Sequence, residues 1–210
     1  MPTAEIYIVS PQSIMLFIIL GVKGSGRRTA GAILQRYYLF DHITVADAVL
    51  YEYTRMYGPY DGPTDCPTRI TTLQQLRLIR EDQYKDYWID KTITNINHRL
   101  AQNSNIVLTG VDPKALDLSK FNVAPTELVV IRIRREYMDN SEVIRAQIPI
   151  DYDILNKEGK VTKMMDAFHY IMQRMSFVQA MTAERLFDPN NAHTMWVYNK
   201  RNIIEDGPNR

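Results

Sequence analysis

The pattern of apolar and polar positions divides the chain into short continuous runs and longer periodic ones. Residues 14–20, Ile-Met-Leu-Phe-Ile-Ile-Leu, are apolar throughout and stop at Gly21. A run this short, rich in β-formers and ended by glycine, predicts a strand buried on both faces of a parallel sheet. It falls well below the roughly 20 apolar residues that a membrane-spanning helix needs. Over 28–40 the apolar residues Ala32, Ile33, Leu34, Tyr37 and Tyr38 return at helical spacing. A second helix is predicted over 45–57, ending at Gly58-Pro59. The stretch 58–68, with Pro59, Gly62, Pro63 and Pro67, is the clearest loop. Helices are then expected over 70–80 and 83–100, the latter turning Tyr87, Trp88, Ile93, Ile96 and Leu100 toward a core. Buried strands are expected over 106–111 and 128–133, and a turn over 156–159. Val161, Met164, Met165, Phe168, Ile171, Met172 and Met175 then recur at steps of three and four, one broad helical face. Near the start, Ile6-Tyr7-Ile8-Val9 alternates before Ser10-Pro11 and reads as an extra edge strand. Strand, helices, strand, strand, helix in this order predict an α/β domain with a mostly parallel sheet.

Composition narrows the function. The chain has 210 residues, 25 basic against 24 acidic, for a formal net charge of +1. That excludes a globally basic nucleic-acid binder, and no specific nucleic-acid signal is present. The single cysteine, Cys66, excludes an internal disulfide framework and a multi-cysteine metal site. The four histidines are scattered without zinc-ligand spacing, so no metal site is expected. No basic residue precedes the run 14–22, so a secretory signal is not expected, and neither is a membrane segment. An intracellular location follows.

The stretch with the most chemistry is Gly21-Val22-Lys23-Gly24-Ser25-Gly26-Arg27-Arg28-Thr29. It follows a predicted buried strand and opens a predicted helix, the context of a phosphate-binding loop. Glycines let successive N–H groups turn inward, and the helix N-terminus adds partial positive charge. Gly21 and Gly26 have the spacing of G-x-x-x-x-G-K-[ST]. Arg27 stands at the lysine position and keeps its charge in a bulkier planar fork. Arg28 stands where a hydroxyl would help hold Mg²⁺, and a cation there repels a metal. Thr29 comes one residue late. The alternative is a tight strand-to-helix turn with no ligand.

With these residues the chain resembles the phage-type deoxynucleoside monophosphate kinases of the P-loop kinase superfamily, over roughly residues 14–175. The family's loop, G-x-x-x-S-G-K-D-T, is matched at Gly21, Ser25, Gly26 and Thr29. Its A-D/G-P-[IL]-K segment is similar to Ala46-Asp47-Ala48-Val49-Leu50, and its R-x-x-[LM]-Q-x-[LM]-G helix to Leu73-Gln74-Gln75-Leu76-Arg77, with Arg69 one residue out of register. Tyr87-Trp88-Ile89-Asp90 resembles its Trp-containing helix. Val107-Leu108-Thr109-Gly110-Val111-Asp112 resembles its strand ending in D-x-R, and residues 130–135 its I-x-[IV]-x-R strand. Ser141-Glu142 and an Asp153-Ile154-Leu155-Asn156 turn complete the series. The departures fall on the chemistry: Arg27, Arg28, Leu50, Arg77, Gly110 and Asp112 replace the loop lysine, the loop aspartate, a substrate-side lysine, a helix glycine, a strand-end aspartate and an arginine.

The resemblance implies a three-layer nucleoside monophosphate kinase-like fold over 14–175, flanked by extensions at 1–13 and 176–210. It implies ATP as the nucleotide, with Mg²⁺ poorly served. Nucleotide-binding residues would be Gly21, Gly24, Ser25, Gly26, Arg27, Arg28 and Thr29. Arg27 would contact the β- and γ-phosphates, Arg132 or Arg135 would offset charge on the transferred group, and Asp47 and Arg69 would lie near the acceptor nucleotide. The alternative for Arg132, Arg134 and Arg135 is a solvent-facing cluster, or one paired with Glu127 and Glu136. Tyr51, Tyr53, Tyr57 and Tyr60 either stack a base or pack along a helix. Cys66, His98 and His169 read as passive or structural.

Two functions are therefore expected. One is a nucleoside monophosphate kinase-like protein, of viral type, with phosphoryl transfer from ATP weak or lost. The other is a kinase fold kept as a structural subunit of a virion or other large assembly. In that case the Met- and aromatic-rich tail after Met175 would dock on a protein partner or a second copy.

Overall fold

Every side chain of β1 (Leu16–Leu20) is buried, because this strand lies at the centre of a sheet covered on both faces. The computed structural model describes residues 14–136, 148–157, 160–175 and, as backbone, 197–199. The chain runs from β1 to α1 (Arg27–Tyr38), β2 (Asp41–Thr44), α2 (Val45–Tyr57), α3 (Pro67–Gln83), α4 (Tyr87–Leu100) and β3 (Ile106–Thr109). Two short 3-10 turns, Pro113–Ala115 and Leu118–Lys120, lead to β4 (Leu128–Arg134), β5 (Tyr152–Leu155), α5 (Val161–Arg174) and β6 (Val197–Asn199). The sheet order is β2-β3-β1-β4-β5-β6. The first five strands are parallel, and β6 pairs antiparallel with β5. This is the expected α/β architecture with a mostly parallel sheet.

Alternation along β1 sends its side chains into two cores. Met15, Phe17 and Ile19 join Ile33 and Leu34 of α1 with Met164, Phe168, Ile171 and Met172 of α5. Leu16, Ile18 and Leu20 join Ile89, Ile93, Ile96 and Leu100 of α4 on the opposite face. Burial of each such side chain contributes about 1.5–3 kcal/mol, so β1 anchors three layers at once. A third, smaller cluster of Val49, Tyr53, Leu76 and Trp88 holds α2, α3 and α4 together beside the sheet.

The predicted helices and the three long apolar strands are present with small shifts at their ends. Two strands escape the apolar pattern. β2, Asp-His-Ile-Thr, buries only Ile43. Residues 153–155, expected as a turn, are part of β5, because Asp153 is drawn into the sheet by arginines of β4. The expected edge strand at 6–9, the extension 1–13, the Ser141-Glu142 pair, and the tail 176–210 apart from β6 lie outside the described residues. No described helix is long and apolar enough to cross a membrane.

Candidate functional site

The loop between β1 and α1 is held from several sides. Gly26 takes the left-handed conformation, φ +110°, as the residue preceding α1. That conformation favours glycine, and a β-carbon there would also lie 2.8 Å from Met164 Cε and 2.9 Å from Asn156 Nδ2, side-chain ends that would have to shift. Gly21, φ +151°, is pressed against the Ile133 carbonyl. Ser25 N donates to the Val22 carbonyl at 3.1 Å, closing the turn. From the β5 end, Asn156 Nδ2 donates to the Ser25 carbonyl at 2.9 Å. From the β4 end, Arg135 Nη1 donates to the Gly24 carbonyl at 3.2 Å. The loop is thus fixed in shape without a ligand.

α1 begins with no side-chain cap and no acidic residue in its first turn. Its orphan N–H groups are left for an external anion. They open on a cleft of about 1060 Å³. The cleft lies at the carboxyl ends of β1 and β3, where ligands of parallel sheets bind. One wall is the loop, with Lys23, Gly24, Gly26, Arg27, Arg28 and Thr29. The other is formed by Asp47, Val49 and Leu50 of α2 and by Arg69, Leu73, Gln74 and Arg77 of α3, with Gly110 at the base. Among the described residues five lining side chains are basic and one is acidic, so this part of the cleft concentrates positive charge in a nearly neutral chain.

Burial and the neighbouring Arg28 charge both pull the Arg27 guanidinium below its usual range. His42 donates or accepts across 2.8 Å to Thr109 Oγ1 at the sheet end. Burial lowers its pKa, Asp47 opposes this, and Arg28 lowers it further. Arg69 stacks over the Tyr60 ring at 4.6 Å. Its Nε is buried and has no hydrogen-bond partner among the described residues. Arg77 pairs with Glu81 at 2.7 Å along α3 but remains largely exposed.

Of the nucleotide-binding residues read from the sequence, Gly24, Gly26, Arg27, Arg28 and Thr29 line the cleft. Gly21 and Ser25 do not line it; they are buried beneath the loop and shape it. Asp47 and Arg69 lie on the wall opposite the loop, together with Leu50 and Arg77. Arg132 and Arg134 both hold Asp153, Arg134 through Nε at 2.9 Å. Their partner is therefore neither Glu127 nor Glu136. Arg135 reaches the loop itself. Tyr53 packs into the cluster beside α4 and against Tyr57, ring centroids 5.0 Å apart. Cys66 precedes α3, and hydrogen bonds from Tyr60 and nearby backbone draw its thiol pKa down. Sequence reasoning passed over Lys23, Thr44 and Gln74 as site residues. Lys23 was visible as a cation inside the loop and Gln74 as part of the Leu73-Gln74 motif, whereas Thr44 carries no local signal.

The donor set does not suit a divalent cation. Among the described residues Asp47 is the only carboxylate in the lining, and its Oδ2 accepts from Thr44 N at 2.6 Å in a capping box. Asp112, beyond the end of β3, accepts from Lys114 N at 2.9 Å and is outside the lining. Among the described residues no group of three or more His, Cys, Asp or Glu could hold a metal. Mg²⁺ prefers one or two carboxylates together with phosphate oxygens and water.

The parallel sheet, the glycine loop after its central strand and the helix that follows define a three-layer α/β protein with a strand–glycine turn–helix unit of the phosphate-loop type. Its fold is similar to a sugar kinase from Janibacter sp., at 11% identity and TM-score 0.43, covering 80% of this chain and 99% of that one. It is also similar to a gluconokinase from Sinorhizobium meliloti, at 14% identity and TM-score 0.39, covering 79% and 98%. A thymidylate kinase from Ehrlichia chaffeensis gives 14% identity and TM-score 0.32, covering 78% and 84%. No protein-family profile and no curated protein sequence matches the chain.

Proposed function

We propose that the cleft binds nucleotides in the manner of a deoxynucleoside monophosphate kinase, with phosphoryl transfer from ATP weak or lost. A nucleoside triphosphate lies with its phosphates on the loop and the first turn of α1. A nucleoside monophosphate lies across from it, against α2 and α3. The observation that carries this reading is the convergence on one cleft of an uncapped helix N-terminus with Arg27 and, opposite, Arg69, Arg77 and Asp47. Weak transfer follows from the side chains. Phosphoryl transfer depends on fixed charges that offset the developing negative charge, and Arg132 is held by Asp153 rather than aimed at the loop.

Binding and turnover separate the parts of this reading. A ligand held only by the folded state raises the melting temperature, by about 2.7 kcal/mol of stability at a hundredfold excess over Kd. ATP and at least one deoxynucleoside monophosphate are expected to raise it, and no shift with any nucleotide overturns the proposal. Turnover with each monophosphate is expected to be slow or absent in the native chain and faster in an Arg27→Lys, Arg28→Ser double variant. No turnover in either leaves a binding module and removes the enzyme.

A further inference from the structure

We infer that the cleft takes the triphosphate chain in its metal-free form, with the Arg28 guanidinium in the place of a metal ion, so that Mg²⁺ opposes binding. This rests on the nucleotide-binding reading above. In a metal-dependent phosphate loop, a hydroxyl after the loop's cation and a carboxylate from a neighbouring strand end hold the ion against the phosphate oxygens. Here both places are altered. Arg28 occupies the first turn of α1, exposed and lining the cleft. The end of β3 offers Thr109, bonded to His42, and then Gly110, which has no side chain. Asp47, across the cleft, is engaged by the backbone of Thr44.

The charge of Arg28 is felt within the site. Burial first and Arg28 second lower the pKa of Arg27 beside it; at His42 on β2 burial lowers the pKa, Asp47 opposes it, and Arg28 adds a smaller lowering. A dication bound to the phosphates would come close to that guanidinium, and among the described residues the loop side of the cleft has no carboxylate to offset the repulsion. The dication would also reduce the negative charge that Lys23 and Arg27 meet on the loop side of the cleft. The metal-free triphosphate has the opposite balance: it is more highly charged, and arginine forks match its oxygens. The uncapped N–H groups of α1 donate to its oxygens without any metal.

Calorimetric titration of the full chain tests this directly, using ATP and inorganic tripolyphosphate, each in excess EDTA and in excess MgCl₂. ATP is expected to bind at least roughly tenfold more tightly in EDTA, and tripolyphosphate to show the same preference. In an Arg28→Ser variant, whose native melting temperature checks that it is folded, the preference for EDTA is expected to shrink or invert. Tighter binding with MgCl₂ overturns this inference and leaves nucleotide binding standing. An unchanged ratio in Arg28→Ser overturns the role of Arg28. Failure of tripolyphosphate to bind in EDTA, where ATP binds, overturns recognition through the phosphate chain. Absence of ATP binding in both media overturns the nucleotide-binding reading itself.

Discussion

Glu52 is a fully buried carboxylate on α2, next to Val49 and Tyr53 of the small core shared with α3 and α4. Arg80 reaches its Oε1 through Nε at 2.9 Å and Nη2 at 2.8 Å. Tyr87 OH donates to Oε2 at 2.9 Å, and Lys91 bonds the same oxygen. One charge on α2 thus ties down α3 and α4. Burial pushes its pKa up, but the bonds from Lys91, Tyr87 and Arg80 outweigh burial and hold it at about 2, below the ordinary 4.5. A depressed carboxyl contributes stability above its unfolded pKa and loses it as the pH falls toward the folded value. Stability measured by denaturant is therefore expected to fall between about pH 4.5 and pH 2. Glu52→Gln should cost about 2–3 kcal/mol at neutral pH, less than for a fully buried partner set because Arg80 and Lys91 remain partly hydrated. It should also flatten the acid limb of the curve; an unchanged limb would assign the acid sensitivity elsewhere.

At the scale of elements, β5 supports the site without lining it. Asp153, nearly buried, holds Arg132 and Arg134 of β4, and three residues later Asn156 holds the loop. Asp153→Ala leaves two arginines without their partner and should cost about 2–3 kcal/mol. Asn156→Ala removes one hydrogen bond, about 1 kcal/mol, and should weaken nucleotide binding out of proportion to that loss. Denaturation and nucleotide titration of both variants check the contrast; equal losses in both quantities would refute it. Elements with one strong period were legible from sequence: β1, α2 and α5 stand where the apolar spacing puts them. β2 and β5 were not, because four-residue strands with polar or charged members give no period. What stabilises β5 is a charge pairing across about 20 residues of sequence. The loop's shape was legible from its glycines. The second wall of the cleft was indicated only through Asp47 and Arg69, since the folding of α3 back over the loop depends on long-range contacts centred on Glu52.

Over the whole molecule the net charge is nearly neutral, yet Lys23, Arg27, Arg28, Arg69 and Arg77 line one cleft at the carboxyl end of the sheet. The opposite concern is the sheet's margin. β6 pairs along β5 and covers an edge that would otherwise present unpaired backbone groups. Deleting residues 176–210 is expected to increase self-association, seen by light scattering on a sizing column. Should the tail instead join this chain to a partner or second copy, the deletion will give a smaller species. An unchanged monodisperse profile would rule out both roles.

The contact between α4 and α3 has an optical consequence. Trp88 is buried, lies edge-on to Tyr87 at 4.9 Å, and donates its indole N–H to the Arg77 carbonyl at 3.2 Å. The residue that carries this carbonyl also lines the cleft, so any tilt of α3 toward a ligand lengthens or breaks the indole bond. Indole emission shifts with its hydrogen bonding and hydration. In a Trp196→Phe background, Trp88 becomes the only tryptophan. Its spectrum then serves as an intrinsic gauge of α3, and a change on adding nucleotide would report movement of that wall while the pre-shaped loop stays silent.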